Sequence, residues 1–370
     1  MNSLFARRTL TLAMLTALAW PCAFAQDGVS KTSLNIGQTT ALTGPAATLA
    51  LPFHQGARLY FERINAAGGI NGRSINLVSI DDAGNPAAAR TNAQKLVQGG
   101  VLALFGSYGS AQTIAAYEII KDSNTVLFAP MAAADELQGA NFPNIYTVRP
   151  GYSEEALAIV RHSETLGTRR LGIAHGKDSE SLSALDAGKR TMQALGANTV
   201  GESGFEGIDK LLANKLECLL IIGTPQEAAK AIREVRNKGF RGPIYGFSNT
   251  GESLLAEQLG SAGAGVVMVR VTPRSDNARS VVVRELMADA QAAKLGKPNV
   301  YMLEGYIAAR TLAEAIRKTG KEPTANKLRK AIEGISEWDM GGFRISFDGG
   351  RGGSKLVELS LIDSLGKVRE

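Results

Sequence analysis

Short apolar segments alternate with amphipathic segments along most of this chain. The apolar segments predict β-strands over residues 34–40, 75–80, 102–105, 126–130, 145–148, 171–175, 199–202, 219–223, 244–247 and 266–271. Some of the amphipathic segments begin at a proline and end before a glycine, as expected of helices over 52–67, 86–97 and 225–238. Continuous apolar strands separated by helices predict parallel sheets that helices cover on both faces.

The pattern changes after Val271. Helices are predicted over 278–295, 300–318 and 325–333, and two strands follow over 343–347 and 355–362. The glycine-rich link between these last strands predicts a hairpin. A chain of 370 residues exceeds what one hydrophobic core usually serves, so we expect two α/β domains.

The N-terminus has the pattern of an export signal. Two arginines at 7–8 precede an apolar run over 10–20, and the segment 23–25 reads Ala-Phe-Ala. Because the apolar run is shorter than a membrane-spanning helix requires, we predict a signal peptide over 1–25 that is cleaved after Ala25. The arginine pair also fits twin-arginine export, which leads to the same destination. The working protein is therefore expected outside the cytoplasm.

Composition and motifs disfavour several classes of function. The net charge of +6 comes from basic residues interspersed with nearly as many acids, which does not predict a nucleic-acid surface. With the signal removed, Cys218 is the one cysteine, and the three histidines show no metal-ligand spacing, so we predict no disulfide and no metal site. The P-loop, dinucleotide and hydrolase-elbow motifs are absent from the sequence, so we predict neither enzymatic activity nor a cofactor.

The candidate site lies in loops that follow the strands, where open α/β sheets bind ligands. The third strand is followed by the loop 106–110 (Gly-Ser-Tyr-Gly-Ser), which leads directly into a helix. The helix N-terminus and the Ser110 hydroxyl suit an anion, although Ser110 can also serve as a helix cap, and both roles can hold. Glu180, in the first turn of a later helix, either favours the helix dipole or pairs with a ligand ammonium.

Five stretches of the sequence together resemble one family. They are IGQTTALTGPAA from residue 36, INAAGGINGRSINLVSIDDAGNP from 64, AARTNAQKLV from 88, LFGSYGSAQT from 104 and FAPMAAADEL from 128. This combination is similar to the type I periplasmic solute-binding proteins, in the branch of the leucine/isoleucine/valine-binding receptors of ABC importers. The resemblance extends from about Leu34 to Leu361.

The resemblance implies an α/β fold of two doubly wound parallel-sheet lobes that close on a ligand. Three crossover segments would join the lobes, near Arg149, Pro273 and Ser336. The lobes would comprise residues 26–149 with 274–335, and residues 150–273 with 336–370. The resemblance also implies a periplasmic location, a small-molecule solute and an inner-membrane ABC permease complex as partner.

Carried over residue by residue, the resemblance implies a ligand site with several replacements. Ser110 matches the carboxylate-binding serine of the family, and Ala133 stands where a threonine is expected. Glu180 replaces a tyrosine, Thr224 replaces a ligand-lining tyrosine, and Ser248 replaces the acid that pairs with a ligand ammonium. The predicted ligand-binding residues are Tyr108, Gly109, Ser110, Met131, Ala132, Ala133, Tyr152, Glu180, Thr224 and Ser248.

The replacement at Ser248 leads to a hypothesis about the ligand. A serine supplies no negative charge, and a buried ammonium without a partner is costly. We therefore expect a small carboxylate that lacks an α-ammonium, such as an aromatic or keto acid, or an amide, unless Glu180 binds the ammonium. Tyr108 and Tyr152 either stack on this ligand or pack between the lobes. The alternative function is a ligand sensor of the same fold that regulates a partner protein.

Overall fold

The computed structural model describes residues 28–348 and 350–369, so the predicted signal peptide lies outside the described residues. The described chain forms two α/β lobes, each built on its own sheet, and a small separate strand pair. Each sheet is mainly parallel, and helices connect its strands. The predicted α/β class with parallel sheets is confirmed.

The first lobe contains a five-stranded parallel sheet in the order β2-β1-β3-β4-β5. Its strands are β1 (Ser33–Thr40), β2 (Ser74–Asp81), β3 (Ala103–Phe105), β4 (Leu127–Phe128) and β5 (Ile145–Tyr146). Its helices are α1 (Ala47–Ala66), α2 (Pro86–Gln98), α3 (Ser110–Ile120), α9 (Val281–Ala292), α10 (Val300–Lys318) and α11 (Ala325–Glu333).

The second lobe contains a seven-stranded sheet in the order β14-β13-β10-β9-β8-β6-β7. Its strands are β6 (Leu171–His175), β7 (Thr199–Gly204), β8 (Cys218–Ile222), β9 (Ile244–Gly246), β10 (Val266–Arg270), β13 (Glu358–Ile362) and β14 (Val368–Arg369). Its helices are α4 (Tyr152–Thr165), α5 (Ser179–Ala194), α6 (Ile208–Leu212), α7 (Pro225–Asn237) and α8 (Glu252–Leu259). Strands β13 and β14 are the antiparallel members of this sheet.

Close packing of α1 against α10 attaches the late helices to the first lobe. A β-carbon built on Gly56 would lie 1.9 Å from the carbonyl oxygen of Met302, and one built on Gly305 would lie 1.9 Å from that of Phe53. Any larger residue at either glycine would therefore force the two helices apart. This contact explains why the chain returns to the first lobe after β10.

The last crossover lies later in the chain than the sequence suggested. Ile335, Phe343 and Phe347 are buried in the core of the first lobe, and the Phe347 ring lies 6.1 Å from that of Phe128. The chain enters the second sheet only with β13, so its return falls after Phe347 and not near Ser336. Apolar side chains after Ser336 are buried against the first sheet. The local sequence pattern did not indicate which lobe would bury them.

The predicted hairpin across residues 348–353 is wrong. The strand before this link, β12 (Arg344–Ile345), pairs with β11 (Trp338–Asp339), whereas β13 pairs with β10 of the second sheet. The link therefore carries the chain between lobes. No helix in the described part of the chain is long and apolar enough to cross a membrane.

Candidate ligand site between the lobes

The loops after β3 and β4 are held together and present the N-terminus of α3 to the cleft. The N–H of Gly109 donates to the carbonyl oxygen of Met131 at 3.0 Å, and the N–H of Met131 donates to that of Ser107 at 2.7 Å. Gly109 has a φ of 88°, in the left-handed region that favours glycine. This turn starts α3 at Ser110, whose backbone N–H has no partner within its own helix and is directed at the second lobe.

A carboxylate from the second lobe lies on this helix N-terminus. Oε2 of Glu180 accepts a hydrogen bond from the backbone N–H of Ser110 at 2.6 Å, and its Oε1 accepts one from the hydroxyl of Tyr152, also at 2.6 Å. Ser110 and Glu180 are 3% and 6% exposed. Because a helix N-terminus favours negative charge, the arrangement is a carboxylate site that the protein's own side chain fills.

The position of Glu180 is set by its own helix. Asp178 caps α5 by accepting hydrogen bonds from the N–H groups of Glu180 and Ser181 at 3.1 and 3.0 Å. The cap fixes the first turn of α5, which faces α3 across the cleft. The backbone of Glu180 is therefore fixed, and its carboxylate can move only by rotation about the side-chain bonds.

The polar groups of the loop 131–133 form hydrogen bonds to other parts of the protein. The carbonyl oxygen of Ala133 accepts from the N–H of Tyr152 at 2.8 Å, and the hydroxyl of Ser110 accepts from the N–H of Ala134 at 3.3 Å. Ala132 is buried in the hydrophobic cluster behind α3. The Ala133 carbonyl thus joins the lobes and is already engaged when they are closed.

The two predicted tyrosines lie in the closed cleft. Tyr152 packs on Phe247 with ring centroids 5.3 Å apart, and its hydroxyl is held by Glu180. Burial and the charge of Glu180 raise the pKa of Tyr152 well above its ordinary value, so it remains a hydrogen-bond donor. Burial, and then the same carboxylate, also raise the pKa of Tyr108.

Ser248 binds a carboxylate that was not predicted from the sequence. Glu155 of α4 accepts hydrogen bonds from both the N–H and the hydroxyl of Ser248, each at 2.8 Å. The acid that residue 248 itself lacks is therefore supplied by a side chain 93 positions away, whereas the sequence suggested Glu180 as the substitute. Glu155 lies on the apolar face of α4. A single acid on such a face is the feature of the sequence that could have indicated a buried, paired carboxylate.

Arg149 connects the two lobes beneath this site. Its guanidinium lies 3.2 Å from Glu155 of the second lobe and 3.3 Å from Glu304 of the first, and it also contacts the hydroxyl of Ser248. Burial alone would lower the pKa of Arg149, but the two carboxylates hold it above its ordinary value. Burial raises the pKa of both Glu155 and Glu304 despite the guanidinium. The guanidinium of Arg149 is thus the shared counter-ion of two buried carboxylates.

Further contacts close the cleft. The hydroxyl of Tyr301 in the first lobe donates to the carbonyl oxygen of Ser248 at 2.8 Å, and Gln226 of α7 donates to Thr48 of α1 at 3.1 Å. The hydroxyl of Thr224 is engaged within its own helix, since it caps α7 and donates to Glu227 at 2.8 Å. Within the described residues, the side-chain hydrogen bonds of Thr224 are made to Glu227 and not to Ser110, Glu180 or Ser248. Of the predicted residues, the structure joins Ser110, Tyr152 and Glu180 directly, whereas Ala132 lies behind α3 and Ser248 binds Glu155.

Comparison with known proteins agrees with this architecture. The family model for periplasmic binding proteins matches residues 33–355. A leucine-, isoleucine-, valine-, threonine- and alanine-binding protein of Pseudomonas aeruginosa is 25% identical, covering 88% of each chain. A leucine-specific-binding protein of Salmonella typhimurium is 26% identical, covering 88% of this chain and 91% of that one. A substrate-binding periplasmic protein from Ralstonia solanacearum superimposes with a TM-score of 0.84 at 26% identity, covering 91% and 99% of the two chains.

These matches extend over nearly the whole described fold and include both lobes. They confirm the resemblance to the leucine/isoleucine/valine-binding branch on which the sequence motifs depended. The chain belongs to the periplasmic binding protein family.

Proposed function

We propose that this chain is the periplasmic substrate-binding component of an ABC importer and captures a small solute between its two lobes. The solute's carboxylate or amide oxygen would bind the N-terminus of α3. The observation that supports this most strongly is the Glu180 carboxylate on the backbone N–H of Ser110, at 2.6 Å across the cleft. A group of this chemistry already fits there in the closed form.

A solute carboxylate would have to displace the Glu180 side chain from Ser110. The displaced carboxylate would remain buried beside the solute and would need a cation or a donor there. An α-ammonium on the same solute meets that need. Glu180 would thus change from occupant of the carboxylate site to partner of the ammonium.

The charge of the closed cleft favours such a solute. Glu155, Glu180 and Glu304 bring three carboxyl groups, and Arg149 is the guanidinium that faces them. A solute with one carboxylate and no ammonium would add negative charge to this buried cluster, whereas a zwitterion or an amide adds none. We therefore favour an α-amino acid or its amide over the acid without ammonium that the replacement at Ser248 suggested. The relatives whose names specify amino acids support the same choice.

A thermal-shift screen with matched pairs tests this proposal. Each amino acid is compared with its 2-keto acid and its amide, for example leucine, 4-methyl-2-oxopentanoate and leucinamide, on the chain from residue 26 to 370. A ligand at about 100 times its Kd stabilises the folded state by about 2.7 kcal/mol, which shifts the melting temperature measurably. Stabilisation by an amino acid and not by its keto acid is expected. Stabilisation by keto acids alone would overturn the choice of ligand.

Transport is distinguished from sensing in cells. We expect that deletion of the gene abolishes uptake of the radiolabelled solute found in the screen. Uptake that is unchanged by the deletion, together with a lost transcriptional response to the solute, would favour the sensor.

A further inference from the structure

The second lobe has a large pocket at the end opposite the cleft. This outer pocket has a volume of about 780 Å³ and is formed by the C-terminal ends of α4 and α7, the turns before β9 and β10, and strand β13. The cleft lies at the carboxyl ends of the parallel strands, whereas the outer pocket lies at their amino ends. Its size is in the range of small-molecule sites, about 300 to 1,000 Å³.

One wall of the outer pocket is apolar and accessible. Leu166, just beyond the end of α4, is 52% exposed and Leu361 of β13 is 40% exposed. Leu359 and Val267 continue this wall beneath them. Helix α4 ends at Thr165, so the sheet face near Leu361 is left uncovered. Adjacent exposed leucines that line a concavity are typical of a binding surface and not of scattered surface residues.

Two guanidinium groups lie at the edge of this wall. Arg236 donates to the carbonyl oxygens of Phe240, Gly242 and Ala264 at 2.9–3.2 Å, and Arg241 donates to those of Arg236 and Phe240. Within the described residues, neither arginine forms an ion pair with a carboxylate. Burial, and then the charge of Arg241, lower the pKa of Arg236. An anion beside the pair would relieve their mutual repulsion.

We propose that the outer pocket binds a small amphipathic carboxylate, of the class of medium-chain fatty acids. The aliphatic chain lies along Leu166 and Leu361, and the carboxylate lies beside Arg241. This pairing follows from the charge complementarity of the two arginines and from the apolar wall next to them. The pocket shares no residue with the cleft, so this binding is independent of the function proposed above.

Octanoate titrated calorimetrically into the chain from residue 26 to 370 tests the proposal, with octan-1-ol as the uncharged probe. We expect saturable binding of octanoate at one site and weaker binding of octan-1-ol. The variant Arg241→Ala lowers octanoate affinity about fivefold, the order expected for a partly exposed ionic contact. The variant Leu361→Glu abolishes binding, because it places a charge of the wrong sign in the apolar wall.

Two matched variants control for general effects of these changes. Leu365→Glu changes a leucine that is 72% exposed and does not line the pocket, and Arg233→Ala removes an arginine of α7 that also does not line it. Both should bind octanoate like the unchanged protein. Octanoate binding that Ser110→Pro abolishes and Leu361→Glu leaves intact would place the ligand in the cleft and overturn the proposal. Absence of saturable binding, or a dimer that Leu361→Glu dissociates, would also overturn it.

Discussion

Glu180 of the second lobe and Ser110 of the first are joined by a 2.6 Å hydrogen bond from the Ser110 backbone N–H to the Glu180 carboxylate. The same carboxylate is held by the hydroxyl of Tyr152. The protein thus closes its lobes with an internal group of the chemistry that we propose for its solute. Binding of a solute carboxylate then becomes an exchange of one carboxylate for another at a helix N-terminus, and closure depends on what Glu180 contacts afterwards.

Neutralising Glu180 should invert the preference between matched ligands. The variant Glu180→Gln keeps the size of the side chain and removes its charge. We expect about a tenfold or greater loss of affinity for the amino acid, since its ammonium loses a charged partner, and a gain for the keto acid, since repulsion is removed. Calorimetric titration of both ligands measures the ratio. Glu206→Gln, at an exposed acid of the same lobe, is the control, and a ratio equal to that of the control would contradict this role of Glu180.

Removing the N–H of Ser110 should be more damaging than removing its hydroxyl. Ser110 is the first residue of α3, a position where proline is compatible with a helix, so Ser110→Pro deletes the donor without breaking the element. We expect a loss of solute affinity of about a hundredfold for Ser110→Pro and about tenfold for Ser110→Ala. Ala325→Pro at the first residue of α11 controls for the proline itself. Equal affinities for Ser110→Pro and Ala325→Pro would exclude the α3 N-terminus as the site.

Loss of the Arg149 side chain should destabilise the whole molecule. Arg149→Met leaves Glu155 and Glu304 buried without their cation, which costs about 3–5 kcal/mol of unfolding free energy. Adding Glu304→Gln should restore part of this stability, because one of the two stranded charges is gone. Urea unfolding followed by circular dichroism measures both effects. Arg190→Met, which removes the exposed guanidinium that pairs with Asp186 and Asp135, should cost at most about 1 kcal/mol.

A raised carboxyl pKa should make stability depend on pH. Burial raises the pKa of Glu252 from 4.5 to about 7, against the opposing charge of Arg270. The folded protein then holds a proton that the unfolded chain has released, so this group makes stability fall as pH rises between about 4.5 and 7 and has no further effect above that range. The integrated loss is up to about 3 kcal/mol.

The variant Glu252→Gln should remove this part of the pH dependence. The unfolding free energy of the variant minus that of the unchanged protein should be more positive at pH 8 than at pH 4.5. Urea unfolding at each pH measures this difference. Glu257→Gln, on the exposed side of the same helix, should leave the profile unchanged. A profile that Glu252→Gln does not alter would show that Glu252 titrates normally.

Much of this architecture could be predicted from local patterns. Alternating apolar strands and capped helices indicated two parallel-sheet lobes, and the loop 106–110 before α3 indicated an anion site because that property depends on adjacent residues. The Glu155 carboxylate on Ser248 could not be predicted in this way. It depends on α4 packing beside the end of β9, a contact between residues 93 positions apart. The final crossover was misplaced for the same reason, since the pattern near Phe343 specifies burial but not which lobe provides it.

A crystal structure of the complex with the solute found in the screen is the decisive measurement. We expect the solute's carboxylate or amide oxygen within hydrogen-bond distance of the backbone nitrogen of Ser110. We also expect that Glu180 has left this nitrogen and contacts the solute's ammonium or amide nitrogen. A complex in which Glu180 still accepts the hydrogen bond of Ser110, with the solute bound elsewhere, would refute the proposed exchange of carboxylates.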